Sequence, residues 1–186
     1  DVGGVVTYYQ YADEGLVAEY NGSGQLLRSY GWVPGSEWQS EPLWFFDGAA
    51  VHYVVSDYAG APTRLVDSNG AVTWSAEYAA FGEANISAGS VANYNLRASS
   101  QYFDAETGLH YNRTRYYSPT LGRYTQRDRI GEASERYNFY RFARNDPTKW
   151  VDRMGTFPKL PKGLKENIGG MLGGGYNSAD GGGLGG

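Results

Sequence analysis

The chain has 186 residues, enough for one domain with a real core or for one piece of a larger body. It contains no cysteine, which excludes a disulfide framework, a thiol nucleophile and cysteine-based zinc or iron–sulfur sites. The net charge of −4 is uneven: residues 1–112 carry three arginines against thirteen acids, 113–153 ten basic residues against five acids, and 154–186 three lysines against two acids. Opposite fields on adjacent segments are expected to pack against each other or against other parts of a larger body.

With 17 Tyr, 5 Trp, 7 Phe and 27 Gly, the apolar inventory favours strands and frequent turns, so the expected fold class is all-β. Asp1 to Val6 lack an initiator Met and a signal-like apolar run, so the chain reads as part of a longer one, whose first strand would leave an edge open to pairing. An aromatic strand that ends in an acidic or small residue and a glycine then recurs. It is seen at Tyr9–Val17, at Tyr53–Gly60, in degenerate form at Tyr78-Ala79-Ala80-Phe81-Gly82, at Tyr102–Leu109 and at Tyr116–Tyr124. Hairpin turns are expected at Asn21-Gly22-Ser23-Gly24 and Asp67-Ser68-Asn69-Gly70, with the Asn-Gly pairs supplying positive φ angles. Val72, Trp74, Ala76 and Tyr78 alternate with Thr73, Ser75 and Glu77, which predicts a strand with one buried face. Units that cannot bury an apolar face alone imply a stacked or wound sheet. Over 132–144 a short helix or irregular turn is expected, with Tyr137, Phe139, Tyr140 and Phe142 packed inward. Beyond Phe157 the chain is Pro- and Lys-rich, then Gly-rich to Gly186, and such a tail is hard to order without a partner.

Residues 101–119, from Gln101-Tyr102-Phe103-Asp104 through Gly108-Leu109-His110-Tyr111-Asn112-Arg113-Thr114-Arg115-Tyr116-Tyr117-Ser118-Pro119, resemble the signature of the RHS repeat-associated core domain. The resemblance continues through Gly122-Arg123-Tyr124, Gln126-Arg127-Asp128, Asn145-Asp146-Pro147 and Val151-Asp152-Arg153-Met154-Gly155, and residues 8–100 resemble the YD repeats that precede such a core. It implies three parts: YD-repeat hairpins over 1–100, the core over 101–157, and a Gly-rich variable tail, linker or toxin stub over 158–186, with a boundary near 155–158. It further implies a hollow shell of spiralling β-sheet, an inward-curling plug at its C-terminal end, and an enclosed C-terminal effector cut from the shell by an aspartyl-protease-like pair. Carried onto this sequence, the pair is Asp128 and Asp152, with Arg127 the basic residue beside the first, and the cut bond is Thr156–Phe157. Two close carboxylates cannot both ionise, so one keeps a proton while the other activates water. Arg129 and Arg153 stand where the motif prolines stand, and each is expected to pair with its neighbouring aspartate and lower its pKa.

The partners implied are the preceding part of the same shell and the enclosed effector, with a secretion-system spike or chaperone beyond them. The setting is a secreted or target-cell-delivered bacterial protein, as in type VI secretion effectors and insecticidal toxin complexes. A cell-surface YD-repeat module that binds carbohydrate or protein is the alternative. No cofactor, metal or nucleic acid is expected, no activity beyond a single self-cut, and membrane contact only for the tail. Asp128 and Asp152 also read as turn residues. The Arg–Tyr interleaving from Tyr111 to Arg144 reads as cross-strand cation–π contacts and ion pairs with the acidic first half, His110 reads as a packing residue, and His52 and His110 have no obvious third partner for a metal or catalytic site.

Overall fold

The computed structural model describes residues 3–87, 92–128, 138–156 and 158–160. Eight strands follow one another as an antiparallel meander: β1 (Thr7–Ala12), β2 (Gly15–Asn21), β3 (Leu26–Trp32), β4 (Pro42–Phe46), β5 (Val51–Ser56), β6 (Pro62–Val66), β7 (Val72–Tyr78) and β8 (Ala84–Ile86). A second antiparallel sheet has the order β13–β12–β11–β10–β9, made of β9 (Leu96–Arg97), β10 (Gln101–Asp104), β11 (Leu109–Asn112), β12 (Arg115–Ser118) and β13 (Arg123–Tyr124). The fold is all-β, and β1 is the outer strand of the larger sheet.

One turn is reused along the meander. In the turns that begin at Asn21, Asp57, Asp67 and Ala79, the first residue's N–H donates to the carbonyl four positions on, and the N–H of the glycine at the fourth position donates back to the first residue's carbonyl. Those glycines, Gly24, Gly60, Gly70 and Gly82, sit at φ between 81° and 84°, where a side chain would be strained. After the turns at Asn21, Asp57 and Asp67 the next strand opens with a shifted register, as between Leu65 and Val66, whereas β7 and β8 pair without a shift. Asn21, Asp57 and Asp67 add a side-chain lock: the Oδ1 of each accepts the backbone N–H groups two and four residues on. Ala79 has no such oxygen, so the degenerate repeat keeps the backbone turn without the lock. Positive φ falls on the glycine that closes each turn, and the residues of positive φ do not include Gly22; the Asn21-Gly22 pair serves through the Asn side chain instead.

The apolar cores follow from strand periodicity. Leu16, Tyr30, Trp32, Phe45, Leu65, Trp74 and Ala76 project from one face of the meander, and Ala92, Tyr94 and Leu96 lie across it. Tyr94 is the centre, with its ring 5.0 Å from Phe45 and 5.3 Å from Trp74. Trp74 and Ala76 are buried as the alternation predicts, while Val72, beside the turn, is exposed. A smaller cluster, Tyr117, Tyr124, Phe142 and Ala143, lies under the second sheet. Phe142 is inward as expected, Phe139 is half-buried, and Tyr140 lies at the surface beneath Arg123. A 3-10 turn over Ala143–Asn145 follows, and Tyr137 lies outside the described residues.

The two sheets are joined by polar contacts. Glu19 on β2 accepts from Tyr30, from Tyr102 of β10 at 3.1 Å and from Arg28 at 2.8 Å. Gln39 donates to the Ser100 carbonyl, and Tyr117 to that of Phe81.

Candidate functional site

Asp128 and Asp152 converge on one nitrogen. Arg115, second-sheet residue of β12, places its Nη2 3.1 Å from Asp128 Oδ2 and 3.5 Å from Asp152 Oδ2. Period two explains why this arginine is inside: Arg115 and Tyr117 share the buried face of β12, with Tyr116 on the other. A buried cation needs an anion and filled donors. Its Nε donates to the Gly155 carbonyl at 2.7 Å and its Nη1 to that of Phe139 at 3.1 Å, and its guanidinium lies 3.5 Å from the centre of the Tyr124 ring.

Asp152 is almost wholly buried, with an exposure of 1%. Its Oδ2 accepts from Tyr124 at 2.7 Å, and its Oδ1 accepts the Thr156 N–H at 3.0 Å. Asn112 donates both to the Tyr124 hydroxyl and to the Asp152 carbonyl, at 2.8 Å each. Burial pushes the Asp152 carboxyl up, and the charge of Asp128 adds to the rise, against the lowering by Tyr124, the Thr156 N–H and Arg115.

The backbone leading to the expected cut is pinned beside this pair. Gly155 has φ +66°, and a Cβ there would lie 2.4 Å from the Asn112 carbonyl oxygen and 2.7 Å from Thr114 Oγ1. Only a glycine lets the chain pass so close. The Gly155 carbonyl also accepts from Thr114 at 2.8 Å. Thr156 is therefore held by Asp152 on its own N–H and by Arg115 and Thr114 on the preceding carbonyl. Phe157 lies outside the described residues.

Arg127 sets its guanidinium 4.2 Å from the Phe139 ring. Arg153 pairs with Glu37 at 2.9 Å and donates to the Ala59 carbonyl, rather than lowering Asp152, whose pKa is raised. That expectation is corrected: the arginine on the aspartates is Arg115, 37 positions before Asp152. Arg129 lies outside the described residues. Asp152 is also a turn residue, since it bonds the N–H four positions on.

Sequence reasoning missed Arg115, Tyr124, Asn112 and Thr114. One signal was available: an arginine in phase with inward-facing Tyr117 must find a buried carboxylate. The Arg–aromatic interleaving resolves into cation–π contacts, among them Arg123 over Tyr140, Arg113 over Trp38 and Arg144 over Trp150. His52 bridges Asp47 at 3.0 Å and Thr73 at 2.8 Å, tying the β4–β5 turn to the register shift in β7. His110 is buried with Nδ1 2.7 Å from Gln101 Oε1. Among the described residues no cluster of three or more His, Asp or Glu could hold a metal ion, and no helix is long and apolar enough to cross a membrane.

The family model of the teneurin YD-shell matches residues 42–148. Double-stranded DNA deaminase toxin A of Burkholderia cenocepacia is 38% identical over 111 residues, which are 58% of this chain and 8% of that protein. The probable deoxyribonuclease RhsA of Dickeya dadantii is 30% identical over 161 residues, 78% of this chain and 10% of that protein. The crystal structure of TcdB2–TccC3–Cdc42 matches 90% of this chain and 7% of its own with a TM-score of 0.55 at 24% identity, a likeness of fold. The chain thus spans a tenth or less of the length of these relatives.

Proposed function

The chain belongs to the teneurin YD-shell family of RHS/YD-repeat proteins, and from that premise we propose that it is the shell-closing segment of an RHS-type toxin or delivery protein, which encloses a C-terminal effector and cuts itself from it at Thr156–Phe157. The likeness to double-stranded DNA deaminase toxin A, a relative named as a toxin, supports delivery to a target cell, with the preceding shell and the effector as partners. One observation carries the self-cut: two carboxylates meet on the same Arg115 nitrogen, and one of them holds the N–H of the residue whose carbonyl would be attacked.

The chemistry divides between the pair. Asp128, nearer to Arg115, carries the ion pair, while Asp152, raised by burial, keeps a proton more readily. An aspartate that accepts a proton from water lets the oxygen add to the Thr156 carbonyl carbon. The Thr156–Phe157 C–N bond then breaks as the protonated partner donates to the departing nitrogen, which leaves a Thr156 carboxylate and a Phe157 amine. Arg115 and Thr114 fix the preceding carbonyl, and positioning of this kind suffices for a single turnover.

The intact mass of the parent protein, wild type and with Asp128→Asn or Asp152→Asn, tests this reading. The expected result is a cut after Thr156 in the wild type and uncut chains in both variants. An uncut wild type makes the pair a structural clamp and sinks the self-cut.

A further inference from the structure

A concave site lies between β1 and the second sheet. Tyr9 and Tyr11 of β1 face Tyr102, Tyr111 and Tyr116 of the second sheet across a cleft of about 320 Å³. Asp104 and Glu106 stand in its wall. We propose that this cleft binds an alkylammonium cation, the headgroup class of choline.

The rings line an open cleft at steep angles to one another rather than forming one flat platform, with Tyr11 stacked on Trp38 at its end. Tyr9 and Tyr102 meet edge-to-face at 5.8 Å and 82°, and Tyr111 and Tyr116 are tilted by 59° at 5.6 Å. Tyr9, Tyr11 and Tyr116 keep exposures of 46%, 44% and 36%, so ring surface remains open to a ligand. Ring faces are negative and attract a cation most strongly when several surround it and water is thinned out.

The charges agree with the rings. Among the described residues that line the cleft there is no lysine, arginine or histidine. Arg113, whose charge acts on Tyr111, is held 4.7 Å from the Trp38 ring and lines the neighbouring cavity instead. The Tyr9 hydroxyl is raised by burial first, and the negative charges of Glu19, Glu106 and Asp104 push it further. Glu19 lies behind the wall, where it accepts the Tyr102 hydroxyl and fixes that ring. Such a field repels phosphates and carboxylates. An alkylated ammonium suits it better than a primary amine, because its methyl groups pack on rings and its charge is cheaply stripped of water.

None of these residues belongs to the Asp128–Asp152 pair, so the site stands or falls apart from the self-cut. The test titrates the full chain with choline and, separately, with 3,3-dimethylbutan-1-ol, its uncharged isostere, by saturation-transfer NMR. Choline is expected to bind at least about tenfold more tightly than the isostere. Tyr11→Leu should weaken choline about tenfold, and Glu106→Gln, at an exposed turn, by a few-fold, each read on a chain with an unchanged amide spectrum. Equal binding of the isostere would make the cleft merely apolar and overturn the proposal. So would no choline binding by a chain with an intact amide spectrum, unchanged affinity in both variants, or capture of neutral hexoses in preference to choline.

Discussion

On the meander, Phe45 and Trp74 pack ring on ring against Tyr94 with Leu65 in the same core, and the same turn closes one hairpin after another. The second sheet instead encloses Gln101, His110, Asn112 and Arg115, with Asp152 brought in from the returning chain. Buried polar groups in the meander serve as joints: Glu19 and Gln39 reach the second sheet, and His52 holds a turn. The difference is one of transferability. An apolar face with a standard turn accepts another hairpin of the same kind, so it can be repeated without new design. A buried ion pair tolerates one geometry only, because each partner left alone in low dielectric is costly. Repetition builds the meander, whereas the buried pairing of Arg115 with Asp128 and Asp152 sits against the backbone of Gly155 and Thr156.

Arg115→Met is the strongest way to break this contrast. It leaves Asp128 and Asp152 without their shared cation and should cost about 3–5 kcal/mol, read from urea unfolding at pH 7. A near-neutral result would mean that the second interior is held by its rings, as the first is. The loss should shrink at low pH, where the buried Asp152 carboxyl takes up a proton instead of standing charged beside the vacated site.

The two regions also differ in how far they could be read in advance. The all-β class, the strand at Val72–Tyr78 and the turns at Asn21 and Asp67 rest on residues within a few positions of one another, so period and turn chemistry reveal them. Asp152 meets Asn112 across 40 positions and Arg115 across 37, and no local pattern encodes such a meeting. The resemblance to the RHS core pointed to the two aspartates, yet the arginine, tyrosine and asparagine packed around them come from tertiary packing. The tyrosine cleft was hidden for the same reason, since it joins residues 9–11 to residues 102–116.

A second contrast is in pH response. Burial first, then the charge of Arg97, pushes His110 down to about 3, against about 6.5 when unfolded. The folded state thus holds this ring neutral where the unfolded chain would protonate it. Its contribution is complete above about pH 6.5 and is lost progressively as pH falls towards 3, on the order of 2 kcal/mol by pH 5. Asp152 acts in the opposite sense, because a carboxyl raised by folding penalises the native state least when protonated. His110→Gln should therefore flatten the decline in urea midpoint between pH 7 and pH 5. An unchanged slope would shift the origin of acid sensitivity away from the second sheet.

The smallest effects test whether the meander's turn is one device. Asn21→Ala removes the acceptor of the Ser23 and Gln25 N–H groups and should cost about 1 kcal/mol, with the hairpin still formed. Ala79→Asn does the reverse. The turn that begins at Ala79 already has the backbone bonds of its siblings, Ala79 N to Glu83 O at 2.9 Å and Gly82 N to Ala79 O at 2.8 Å. It lacks only the side-chain oxygen that elsewhere reaches the N–H groups two and four residues on. Supplying that oxygen at this exposed position should stabilise the chain by about 0.5–1 kcal/mol, measured as a rise in urea midpoint at constant m-value. A gain would show that the lock works wherever the backbone turn is present, as a repeated device should. No gain would tie the lock to the residues around Asn21, Asp57 and Asp67, and the Tyr78–Gly82 turn would be a different turn that happens to share their hydrogen bonds.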